Sequence, residues 1–164
     1  MSNDPLVELI EEASGAAEGV FMRKGVFLPL WHMITADGQH VFSGPLSNHK
    51  DFGVALIKAL MLFHKVVRYV FVDEAWILDR RHSSIDKTEL ARINRDGLAD
   101  HPERQEVLMF SAEDQTVGMR SARRAIIRRP GRKATLGPLI IDPPFDLSEG
   151  RMVGLLPKLG ATVQ

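Results

Sequence analysis

The sequence contains no cysteine, which excludes disulfides and every thiolate metal site. It has no long hydrophobic run either. The most apolar segment, Gly53 to Phe63, falls well short of the roughly 20 residues that span a bilayer, and it contains Lys58. The opening Met-Ser-Asn-Asp-Pro lacks a basic region followed by an apolar core, so no signal peptide is expected; a soluble, cytoplasmic protein without membrane contact is. There is no glycine-rich phosphate loop and no β-α-β alternation, so nucleotide binding of the Rossmann or P-loop type is not indicated. No repeat or low-complexity segment occurs. His32, His40, His49, His64 and His82 show no His-x-x-x-His spacing and read as packed or surface histidines. Ser14, Ser43, Ser111 and Ser121 have no nucleophile-elbow context. Neither a metal nor another cofactor is expected.

What remains is an ordinary globular composition. The chain has 164 residues, 45% hydrophobic and 26% charged, enough for one domain that buries about two-thirds of its unfolded surface. The 21 basic and 21 acidic residues balance, but unevenly. Arg120 to Lys133 holds six arginines, one lysine and no acid, leaving a net charge of −7 elsewhere.

The stretch Val66 to Leu78 organises the rest. Val66, Val67, Tyr69, Val70, Phe71 and Val72 predict a central strand covered on both faces. Before it, Asp4 and Pro5 open an amphipathic helix with Leu6, Leu9, Ile10 and Ala13 on one side, ending near Gly15 or Gly19. Val26 to Ala36 reads as a strand, placed at an edge or bulged by Pro29. Asp37-Gly38 marks a two-residue hairpin, and His40 to Ser43 returns. Ser47 or Asn48 caps a second helix to about Lys65, apolar enough to lie largely buried on the sheet. Residues 80–104 form a long polar loop, with a short helix over Asp86 to Asn94. Gln105 to Ala112, Thr116 to Arg128 and Ala134 to Ile141 are strands, joined by turns at Glu113-Asp114-Gln115 and Arg129-Pro130-Gly131-Arg132, the latter of type II. Residues 145–164 form an irregular tail. The expectation is one α+β domain over residues 1–164, with residues 1–20 as the N-terminal helix. Its antiparallel sheet has about five to six strands, and the two main helices share one face.

Two constellations could carry chemistry. Asp73, Glu74 and Trp76 end one predicted strand, while His101, Glu103, Arg104 and Glu106 begin another. In an antiparallel pair these ends meet. Glu74, His101 and Glu106 are then candidate acid–base or metal-binding residues, against the plainer reading that Arg104 pairs with Glu74 or Glu106 and fastens the loop. His101-Pro102 with Ser111 and Asp114 also bears a partial likeness to the zinc site of JAMM isopeptidases. That likeness fails because Ala99 stands where the second histidine belongs. The second constellation is the ribbon Arg120, Arg123, Arg124, Arg128, Arg129, Arg132 and Lys133, whose guanidinium forks match phosphate geometry. The ribbon contains no aromatic residue for base stacking and the protein is not basic overall. Pairing with acids of the same chain or of a second copy is therefore favoured over nucleic acid.

The ordered set Pro29-Leu30-Trp31, Ala36-Asp37-Gly38, Val72-Asp73-Glu74-Ala75-Trp76 and His101-Pro102-Glu103-Arg104-Gln105-Glu106 resembles a group of small, uncharacterised bacterial and phage proteins. In that group a Glu-Ala-Trp strand end precedes a His-Pro-(Asp/Glu)-Arg-x-Glu strand start. The resemblance covers residues 26–141, implies that the two polar ends belong together, and brings no activity. The favoured function is a non-enzymatic interaction or assembly module, working with a protein partner or as a homo-oligomer through an exposed strand or the ribbon. An enzyme built on Glu74, His101 and Glu106 is the alternative, and a nucleic-acid binder using the ribbon is the second.

Overall fold

The structure is a computed structural model that describes residues 3–78, 86–143 and 155–156. Helix α1 spans Pro5–Lys24, strands β1 and β2 span Leu30–Thr35 and His40–Ser43, and helix α2 spans Lys50–Phe63. Strand β3 spans Val66–Ile77, helix α3 Lys87–Asp96, β4 Gln105–Asp114 and β5 Gly118–Ile127. Two short strands follow, β6 at Thr135–Leu136 and β7 at Ile140–Ile141. The strands form one antiparallel sheet in the order β2-β1-β3-β4-β5-β6, with β7 also on β5. The expected α+β class and antiparallel sheet are therefore observed, with β3 inside the sheet.

Helix α1 starts as its sequence dictates. The Asp4 side chain accepts from the Leu6 amide at 2.9 Å, and Pro5 occupies the first helical position. The helix does not stop at Gly15 or Gly19. It runs to Lys24 and is capped by Gly25 at φ +72°. Each internal glycine costs about 1 kcal/mol, but Ala17 between them and Phe21 beyond them continue the buried stripe and outweigh that cost.

Pro29 lies just before β1, outside the ladder. It therefore neither bulges the strand nor marks an edge, and β2 is the edge on that side. Thr35 and Gln39 close the hairpin, with Gly38 at φ +81° donating its amide to the Thr35 carbonyl. The loop is thus longer than the two residues that Asp37-Gly38 predicted. The β4–β5 turn covers residues 115–117, two residues later than expected. At the next turn Gly131 takes φ +69° and the Arg132 amide reaches the Arg129 carbonyl at 3.2 Å, as a type II turn requires. The partner strand is split in two because Pro138 has no amide to donate and the register shifts by one residue between β6 and β7.

The two main helices lie on opposite faces of the sheet, not on one. Strand alternation separates two apolar clusters. Val70 and Val72 of β3 join Leu108 and Phe110 of β4 beneath Leu6, Ile10 and Phe21 of α1. Tyr69 of β3 joins Trp31 and Met33 of β1 beneath Ile57 and Met61 of α2, with Leu155 and Leu156 added. The start of α2 also departs from expectation. His49 occupies the cap position without a side-chain bond, while Ser47 accepts from the His49 amide at 3.1 Å. The loop helix appears as α3, capped by Asp86, which accepts from the Glu89 amide at 2.7 Å. Residues 80–85 of the expected long loop lie outside the described residues, as does the expected tail apart from 155–156. Among the described residues no helix is long and apolar enough to cross a membrane.

Candidate functional site

Strands β3 and β4 pair in the register Trp76 to Glu106 and Ile77 to Gln105, so the two motif ends do meet. Alternation then divides the polar residues. Glu74, Trp76 and Glu106 share a face and line a hollow of ≈ 220 Å³, while Asp73 points to the α2 side. The Glu74 carboxylate accepts from the Phe27 backbone amide at 2.7 Å, which ties the segment before β1 to the sheet. The Arg104 guanidinium lies 5.3 Å over the Trp76 ring, a cation–π contact that fastens the loop. Among the described residues no ion pair joins Arg104 to Glu74.

Glu106 receives a two-pronged bond from Arg128, Nε to Oε2 at 2.7 Å and Nη2 to Oε1 at 2.5 Å. That bond holds the Glu106 carboxyl below its ordinary value, against the opposing effect of burial, so the residue is poorly suited to carry a proton near neutrality. His101 is engaged elsewhere. Its Nδ1 accepts from the Glu103 amide at 3.1 Å, which leaves the ring proton on Nε2 to donate to Glu89 of α3 at 2.5 Å. Glu74, His101 and Glu106 thus each have a separate structural partner. Asp73, whose carboxyl is raised chiefly by burial, sits at a groove of ≈ 380 Å³ between α2 and the sheet. The groove is lined by Trp31, Leu46, Lys50, Ile57 and Phe71 among others.

The arginine ribbon is largely neutralised within the chain. Arg120 pairs with Asp4 at 2.8 Å, Arg123 with Asp142, Arg124 with Glu18 at 2.9 Å, and Arg128 with Glu106. Arg129, Arg132 and Lys133 sit exposed around the turn, and among the described residues no ion pair engages them.

Two features were not read from the sequence. The first is the outer side of α2. Ile57 and Met61 are its only buried residues, while Phe52, Leu62 and Phe63 remain 59%, 42% and 81% exposed. At 100° per residue, Phe52, Ala55, Leu56, Ala59, Leu62 and Phe63 form one continuous outward surface, edged only by Asp51 and Lys58. The signal in the sequence is a helix apolar nearly all round, which predicts that it is covered without saying by which surface. The second is the meeting of His32 and His40, which the hairpin register would have disclosed: Ile34 faces His40, so His32 lies one diagonal step away. Comparison with known proteins finds no matching family model, no matching curated protein and no matching solved structure.

Proposed function

We propose that this protein is a non-enzymatic assembly module that pairs with a second copy of itself through the outer face of α2. The observation that carries this reading is a largely apolar helix whose own sheet buries Ile57 and Met61 and half-covers Val54 and Leu60, while Phe52, Leu62 and Phe63 stay exposed on the other side. A helix of that kind normally lies inside a protein core, so a cover on the outer side is required.

A second copy fits that face by self-complementarity. Ala55 and Ala59 form a low centre that lets two helix backbones approach, and bulky residues stand at each end. In an antiparallel crossing centred between the alanines, Phe52 of one copy falls beside Leu62 and Phe63 of the other, and the reverse holds, as a two-fold interface demands. The face carries no charge that would select an oppositely charged partner, and the net charge of zero sets up no repulsion between copies. One face of a 14-residue helix is small for a specific interface, so a weak, transient pair is expected, with a Kd on the order of 10–100 µM. The ribbon is not the favoured route, because most of its charge is already spent on acids of the same chain.

Sedimentation equilibrium tests this. The wild-type mass is expected to rise from 18.3 kDa toward twice that value across the micromolar range. Ala59→Glu, an exposed substitution by a good helix former, should hold the protein at the monomer mass without lowering its melting temperature in dilute solution. A wild type that stays monomeric at about 1 mM, far above the expected affinity, overturns the reading. So does an Ala59→Glu variant that still dimerises.

A further inference from the structure

Three elements converge on the other face of the sheet, where Glu12 of α1, His32 of β1 and His40 of β2 bring one ligand-capable atom each within 4.8 Å of one another. His32 Nε2 and His40 Nδ1 stand 2.8 Å apart and share one hydrogen bond. His32 is almost wholly buried, and Phe42 stacks on it at 4.4 Å with 19° between the planes, which fixes the ring. Glu12 and His40 lie open to solvent. Burial holds the His32 pKa below its ordinary value, against the pull of Glu12 and with a further lowering from His40.

A hydrogen bond between two histidines accounts for their contact, but it gives no reason for a carboxylate to approach both from a third element. We infer that Glu12, His32 and His40 form a binding site for one divalent transition-metal ion. Two imidazole nitrogens and a carboxylate oxygen suit zinc, with water in the fourth position, and suit magnesium poorly because it prefers oxygen donors. Ligand atoms around tetrahedral zinc lie about 3.3 Å apart, so the two nitrogens need to separate by only about half an ångström. Ligation through His32 Nε2 and His40 Nδ1 places the ring protons on His32 Nδ1 and His40 Nε2. Helix α1 packs on β3, β4 and β5, so the ion would clip its flank to the edge hairpin of β1 and β2. The site is independent of the assembly face, because α2 lies across the sheet.

The test uses tag-free full-length protein, stripped with a chelator and titrated with zinc chloride against a competing indicator. One zinc per chain at micromolar affinity or tighter is expected. His40→Ala should weaken it at least about tenfold and Glu12→Gln at least about threefold, since each removes a direct ligand. Both positions are exposed, and a thermal melt without metal checks that each variant folds. His101→Ala, which removes the separate His101–Glu89 pair, should leave zinc affinity unchanged, and millimolar magnesium should not compete. Absence of a one-per-chain site below about 100 µM zinc overturns the inference, given the affinities that histidine sites reach. A site indifferent to both His40→Ala and Glu12→Gln, or one abolished by His101→Ala, overturns it equally.

Discussion

Replacing Arg124 by methionine is expected to destabilise the protein by about 3 kcal/mol, whereas Arg129→Ala should change stability by less than about 0.5 kcal/mol. Both belong to the same basic ribbon, but their surroundings differ. Arg124 is 8% exposed, and its guanidinium donates to the Gly137 carbonyl at 2.7 Å, to Ser14 Oγ at 3.3 Å and to Glu18 at 2.9 Å. It thereby joins β5 to α1 and to the kink between β6 and β7. Methionine preserves most of the stem volume but leaves the Gly137 carbonyl without this charged donor, and a charge-assisted bond of this kind is worth about 1.5–3 kcal/mol. The loss should appear as a lower denaturant midpoint with an unchanged slope. Arg129 is exposed beside the turn, and no ion pair engages it among the described residues.

The same contrast bears on nucleic acid. Four of the ribbon's seven cations face acids of their own chain. At most Arg129, Arg132 and Lys133 could meet phosphates, which bounds any log–log salt slope at about −3 on duplex DNA. No binding to duplex DNA is expected in an electrophoretic or anisotropy titration at physiological salt. A measured slope of about −5 or steeper would mean that the in-chain pairs open to receive a backbone.

Much of the fold was legible because local signals agreed with one another. Asp4-Pro5 set the start of α1, Gly38 and Gly131 set their turns, and the Val66–Ile77 run set the central strand. The β3 pattern also bears on the placement of the helices. A strand that is apolar on both faces needs a layer on each, and two helices on one face would leave Tyr69, Phe71 and Trp31 uncovered. Extent was harder to read. Gly15 and Gly19 weaken a helix only locally, and whether it continues depends on Phe21 finding a core. The polar ends illustrate the limit for sites. Antiparallel pairing predicted that Glu74 and Glu106 would stand near each other, but the partner each takes comes from distant segments, the Phe27 amide and Arg128. Hydrophobic periodicity likewise tells that a helix such as α2 must be covered, not by which surface.

Acid should weaken the fold through Asp114, and Asp114→Asn should remove that sensitivity at a cost of about 2 kcal/mol at neutral pH. Asp114 closes β4 opposite Arg68, whose Nε donates to it at 2.8 Å. Its other oxygen accepts from the Thr116 amide and hydroxyl, both at 2.7 Å, and from the Val117 amide at 3.0 Å, which shapes the β4–β5 turn. Burial by itself would raise the carboxyl, but the Thr116, Val117 and Arg68 bonds prevail and bring it from 3.8 down to about 2. A carboxyl lowered in the folded state stabilises the fold fully above its unfolded value, and that contribution is lost as pH falls from about 4 through 2. The difference amounts to about 2 kcal/mol. Asparagine keeps one oxygen for the turn amides but has no charge for Arg68, so the variant should be weaker at pH 7. Its stability should then fall less than wild type below pH 4, with the two curves converging near pH 2. Urea midpoints at a series of pH values measure this directly, and the other carboxylates, common to both proteins, cancel in the difference. Curves that stay parallel from pH 6 to 2.5 would show that the turn bonds matter and the charge on Asp114 does not.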